Sequence, residues 1–189
     1  MPNPPEVPKL AALTLEVTRT ATARYLEDGD AARWEKDVST ALTRGHMAAY
    51  ISGLAERDTG GKIRAFLSWF VGDWALSKDD RQAIKTTVAE QLDYLKRFVD
   101  IAGDLSEDQI KARADQYALA TKQSYWQAWA GAELDCLPGQ CEECYGNCRC
   151  VLRREADGIY WDCQDDAHSC ASCRDRGAMS PFHSMTEED

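Results

Sequence analysis

The chain predicts a mainly α-helical protein: a helical bundle followed by a small cysteine-rich β-hairpin module. Two observations predict it. Apolar residues recur at helical spacing through the first 131 residues, broken only at short Gly- and Asp-rich turns. All eight cysteines then fall between Cys136 and Cys173, where helical periodicity stops. Core cysteines scatter through a fold, whereas metal ligands cluster because four side chains must reach one ion. The module is therefore expected to bind structural zinc.

The boundaries follow from composition. Residues 1–9 hold four prolines and read as an extended arm. Residues 10–131 form the bundle, 132–183 the cysteine module and 184–189 an acidic tail. The 189-residue length fits one domain with an appended module. No apolar run approaches membrane-spanning length, and the N-terminus lacks the pattern of a secretory signal. Cysteines in such a chain favour reduced thiols and metal over disulfides.

Leu10, Leu13, Val17 and Ala21 set the stripe of a first helix, 10–27, closed by Asp28-Gly29-Asp30. Trp34, Val38, Ala41, Leu42 and Gly45 define a second, running through Tyr50 and Leu54 until Thr59-Gly60-Gly61. Ile63, Phe66, Leu67, Phe70, Val71 and Trp74 form a third, apolar enough to serve as core or as a surface for another subunit. A fourth opens at Ser77 with acidic residues at its positive end, and Ile84, Val88, Leu92, Leu95 and Val99 line it. Ser106-Glu107-Asp108-Gln109 is a capping box for a fifth. Its buried face is Ile110, Ala114, Tyr117, Ala118, Thr121 and Tyr125, and it ends near Gly131. In the module, 149–155 and 159–163 alternate as two strands around Ala156-Asp157-Gly158. Val151, Ile159 and Trp161 supply the expected apolar face.

The bundle carries no catalytic constellation. His46 is its one histidine, with no Asp or Ser at local pairing distance, and reads as a surface or hydrogen-bonded residue. Gly60-Gly61 lacks the strand and Lys-Ser ending of a phosphate loop. An H-E-x-x-H pair and an H-x-E followed by P-C-x-x-C are both absent, so neither metalloprotease nor deaminase chemistry is signalled. The expected class is non-enzymatic.

Two C-x2-C pairs, Cys141/Cys144 and Cys170/Cys173, suit zinc because one tight turn delivers two sulfurs. Cys148 and Cys150 add a C-x-C, while Cys136 and Cys163 stand apart. Spacing leaves several shells open. Cys170 and Cys173 combine with Cys141/Cys144, Cys144/Cys148 or Cys148/Cys150. Two sites, one site with a disulfide, or a shell using His168 or His183 also fit. The net charge of −10 argues against nucleic acid as the main partner. A nucleic-acid contact would fall to Arg149, Arg153, Arg154, Arg174 and Arg176.

Leu137-Pro138-Gly139, Cys144 and Asn147-Cys148-Arg149-Cys150 come first in the module. Tyr160-Trp161, His168-Ser169-Cys170, Cys173 and Ser180-Pro181-Phe182 follow. This order resembles the C-terminal module of phage head morphogenesis (minor head) proteins. In one subgroup the C-x-C precedes the C-x2-C, as here; in others the order is reversed. Upstream, Trp34, 45–50, 91–98, 113–117 and Tyr125-Trp126 extend the resemblance over most of 10–182. The resemblance implies four zinc ligands from Cys144, Cys148, Cys150, Cys170 and Cys173, with Cys141 as alternate. It also implies a virion protein that acts with portal and capsid in the host cytoplasm during assembly, with self-association as a further expectation. The rival expectation is a zinc-ribbon adaptor for a protein or nucleic-acid partner.

Overall fold

The computed structural model describes residues 7–57, 76–131, 133–138, 140, 150–163 and 170–182. The helix expected over Ile63–Trp74 and the acidic tail lie outside the described residues. Helices α1 (Val7–Asp28), α2 (Ala31–Arg57) and α3 (Lys78–Ile101) are followed by a 3-10 turn (Ala102–Asp104). Then come α4 (Glu107–Leu119) and α5 (Thr121–Ala130). The module contributes strands β1 (Val151–Glu155) and β2 (Gly158–Asp162) and helix α6 (Ala171–Met179). The protein is thus mainly helical, with a two-stranded antiparallel sheet near its C-terminal end.

Local chemistry accounts for the helix ends. Ser77 caps α3: its hydroxyl accepts the Asp80 amide while the Asp80 carboxylate accepts the Ser77 amide. Ser106 and Gln109 repeat the device at α4. α1 starts three residues earlier than the apolar stripe suggested, with Pro8 in its first turn, where the missing amide costs no helical hydrogen bond. The single helix expected from Ser106 to Gly131 is two. The chain turns at Ala120, where Thr121 donates its hydroxyl to the Ala118 carbonyl instead of leaving that group to the helix ladder.

α2 is the central element. Its Trp34, Val38 and Leu42 pack with Leu95, Phe98, Ile110, Ala114 and Tyr117 at one end of the bundle. Tyr50 and Leu54 pack with Leu76, Ile84, Val88 and Ala128 at the other. Between them runs a seam of small residues at helical spacing, Gly45, Ala49 and Gly53, against α5. A Cβ on Gly45 would lie 2.9 Å from the Thr121 methyl. One on Gly53 would lie inside contact distance of the Tyr125 carbonyl oxygen and 2.9 Å from the Ala128 Cβ. At Gly53 the α5 backbone occupies the space a side chain would fill; at Gly45 the Thr14 side chain of α1 and the Thr121 methyl occupy it.

α1 departs from the sequence expectation. Leu13 and Val17 are 59% and 52% exposed, and the face turned inward is Ala11, Thr14, Thr18, Ala21 and Thr22. The close approach at Gly45 explains this for Thr14. A Cβ on Gly45 would lie 2.5 Å from the Thr14 hydroxyl oxygen, so a leucine on α1 there would overpack. The Trp34 indole donates to the Thr22 hydroxyl (3.1 Å), which donates to the Thr18 carbonyl (2.8 Å). Arg19 closes α1 onto α4 with two hydrogen bonds to Asp115, at 2.9 and 2.7 Å.

The glycine seam makes a stability prediction. Gly53→Ala should lower unfolding free energy by about 1–3 kcal/mol despite alanine's better helix propensity. Gly103→Ala, where a Cβ meets nothing within 4 Å, should change it by less than about 0.5 kcal/mol. Urea melts of the two variants read the difference.

Candidate metal and thiol centre

The module has too little apolar surface to stand alone, and it borrows a core from the bundle. Leu137, Cys150, Leu152, Ile159, Trp161 and Cys173 pack with Tyr125, Trp126, Trp129 and Ala130 of α5 and Ala49 of α2. The hairpin pairs Leu152 with Trp161 and Val151 with Asp162. Leu152, with Ile159 and Trp161, therefore forms the buried face. Val151, expected there, alternates to the other face in this register, is half-buried and still packs against the same cluster. The correction is one of parity: successive strand residues alternate faces, and the register decides which set is inward.

The edge of β2 away from β1 is also covered. Ile159 donates its amide to the Phe182 carbonyl at 2.8 Å and accepts the Phe182 amide at 2.7 Å. The Trp161 amide donates to the Ser180 hydroxyl at 2.8 Å. Gly158, at φ +145°, lets Phe182 approach, since a Cβ would meet its carbonyl.

Of the ligands expected for zinc, the structure describes Cys150, Cys170 and Cys173; Cys144, Cys148 and the alternate Cys141 lie outside the described residues, as do His168 and His183. All three described ligands belong to the module's apolar cluster. Cys170 sits at the N-cap of α6, and its sulfur accepts the Cys173 amide at 3.4 Å. Among the described residues, no group of three or more His, Cys, Asp or Glu side chains is arranged to hold a metal.

Cys136 and Cys163, which spacing set apart, join the same cluster. Cys163 follows β2 directly and Cys150 precedes β1 directly. Extending the ladder one step past Val151–Asp162 sets Cys150 opposite Cys163. Counting outward from the Ala156-Asp157 turn would have found this pair, because a two-residue hairpin loop fixes the register.

The module arginines are engaged internally. Arg154 makes two hydrogen bonds to Glu133 (2.8 and 2.7 Å) and stacks over the Trp129 ring. Arg153 pairs with Asp162 and Glu155 and lies over Tyr160. Arg176 donates to Asp135 at 3.0 Å, lies over Trp161, and holds the Asp135 carboxyl below its ordinary pKa. Arg149 lies outside the described residues, and Arg174 is exposed.

In the bundle, His46 is fully buried, not on the surface. Its Nδ1 is 2.8 Å from the Ser124 hydroxyl, a partner 78 positions away that local spacing could not show. Its Nε2 has no partner among the described residues. Burial lowers its pKa from 6.5 to about 4. A buried imidazole joined to one hydroxyl, with no carboxylate behind it among the described residues, is a packing element and not a catalytic triad.

Comparison with family models, curated proteins and solved structures found no match for this chain. No described helix is long and apolar enough to cross a membrane.

His46 predicts a pH dependence. The folded state holds the neutral imidazole, so as pH falls the unfolded chain takes up the proton first. The contribution is complete above pH 6.5 and is lost as pH falls to about 4, amounting to about 3 kcal/mol at the end. His46→Gln should flatten unfolding free energy between pH 6.5 and 5 relative to the natural chain, as read by urea titration.

Proposed function

We propose that this chain is a non-enzymatic phage structural and assembly protein of the minor head type, acting with portal and capsid during head morphogenesis. The observation that carries the proposal is the ordered set Cys144, Asn147-Cys148-Arg149-Cys150 and Cys170-x2-Cys173 on a module appended to a helical bundle. The helical architecture, and a docking face built from α5 tryptophans, suit a structural role.

A structural zinc, held by four of Cys144, Cys148, Cys150, Cys170 and Cys173, would supply the fold energy the hairpin lacks, roughly 10 kcal/mol or more. The Cys170 sulfur with its backbone donor suits such an ion. The rival adaptor that grips nucleic acid is disfavoured, because Arg153, Arg154 and Arg176 already face carboxylates. Salt-dependent phosphate binding requires cations available to phosphate.

The purified chain should carry one to two zinc ions by elemental analysis and should co-purify with portal or capsid protein. Cys173→Ser should lose zinc and the module's protection from hydrogen exchange while the bundle helices stay protected. A monomeric chain that ignores both portal and capsid proteins would remove the assembly role.

A further inference from the structure

We propose that Cys150 and Cys163 are a cross-strand thiol pair that closes to a disulfide by exchange with a low-molecular-weight disulfide such as oxidised glutathione. The argument begins with the ladder. Every pair in the hairpin sums to one register, from Glu155–Gly158 to Val151–Asp162, and the next position outward is Cys150–Cys163.

Antiparallel pairs alternate between hydrogen-bonded and non-hydrogen-bonded positions, and side chains stand closer at the latter. The β2 amides show which is which. Ile159 directs its amide and carbonyl to Phe182, and Trp161 directs its amide to Ser180. Arg154–Ile159 and Leu152–Trp161 are thus the non-hydrogen-bonded pairs, and Cys150–Cys163 continues their series. At such a position the Cα atoms lie about 4.5 Å apart. That falls within the roughly 4.4–6.8 Å a disulfide spans.

Faces agree with register. Leu152, Ile159 and Trp161 are buried, and alternation puts Cys150 and Cys163 on that face. Cys150 is buried, Cys163 half-buried, and both pack into the same cluster. A Cβ on Gly177 of α6 would lie 3.7 Å from the Cys163 Cβ, so α6 closes over this end of the hairpin.

The difference in exposure orders the steps. The Cys163 thiolate attacks oxidised glutathione, forms a mixed disulfide and expels one glutathione thiolate. The Cys150 thiolate then attacks the Cys163 sulfur and expels the second. Two protein thiols and one glutathione disulfide become one protein disulfide and two glutathione thiols.

Resting on the zinc reading above, the pair also takes Cys150 out of the ligand candidates. Zinc would then draw on Cys170 and Cys173 with two of Cys141, Cys144 and Cys148, which lie outside the described residues. In a virion protein the pair would stay reduced in the host cytoplasm and close after release into an oxidising medium.

The test uses the full reduced chain, zinc-loaded, incubated with oxidised glutathione. Thiol count should fall by two, peptide mapping should link the Cys150 and Cys163 peptides, and bound zinc should stay constant. In Cys150→Ser, Cys163 should stop at the glutathione adduct. In Cys163→Ser, peptide mapping should find Cys150 in neither a cross-link nor a glutathione adduct. A stable adduct on Cys163 in the natural chain, or a link from Cys150 to another cysteine, overturns the pair. Zinc released in step with oxidation makes Cys150 a ligand and overturns the proposed shell. A chain that takes up no zinc removes the zinc reading, while the cross-link still decides the pair.

Discussion

Where α2 meets α5, Gly53 leaves room for the α5 backbone, while Gly45, one turn beyond Ala49, leaves room for Thr14 of α1 and the Thr121 methyl. Most of the molecule is arranged by that contact. It brings Ser124 under His46 and sets the buried Tyr125 against α2, with the Tyr125 hydroxyl donating to Glu56 at 2.8 Å. It also puts Ala128 into the core formed by Tyr50, Leu54 and Ile84. Trp126, Trp129 and Ala130 of the same short helix then form the floor on which the hairpin module packs. One ten-residue helix thus serves bundle and module together. Close packing transmits any widening of the seam to both.

The seam also explains a polar interior. α1 packs threonines inward, and at Gly45 the Thr14 side chain fills the space left by the missing Cβ. Buried polar atoms are costly unless bonded. Thr22 meets the cost by accepting from Trp34 and donating to Thr18. Thr18 Oγ1 and His46 Nε2 have no partner among the described residues, so this layer exchanges some stability for a tight helix crossing.

In the module, apolar packing, ion pairs and thiols act at different depths. Tryptophans and Leu152 form its floor, and arginines stacked on Trp129, Tyr160 and Trp161 hold its rim. The arginine planes cover aromatic faces while their N–H groups meet carboxylates, a use for which lysine is poorly shaped. Cys150, Cys163 and Cys170 lie at the two strand ends and at the N-terminus of α6. The clustering of cysteines was legible in the sequence. That Cys150 stands opposite Cys163 follows from the hairpin register, which cysteine spacing alone does not give.

By itself the sequence determined the helical stripes of α2, α3 and α4, both Ser-led capping boxes and the hairpin with its turn. Each depends on residues a few positions apart, where periodicity and hydrogen-bond reach act directly. Tertiary structure alone decided which face of α1 is inside, that His46 is buried against Ser124, and that Leu152 is the fully buried strand residue while Val151 packs half-buried against the same cluster. It also decided that Arg153, Arg154 and Arg176 turn to Asp162, Glu133 and Asp135. These outcomes depend on what a distant element brings to the contact. On α1 that was a glycine-lined slot, and there the apolar stripe gave way to a row of threonines.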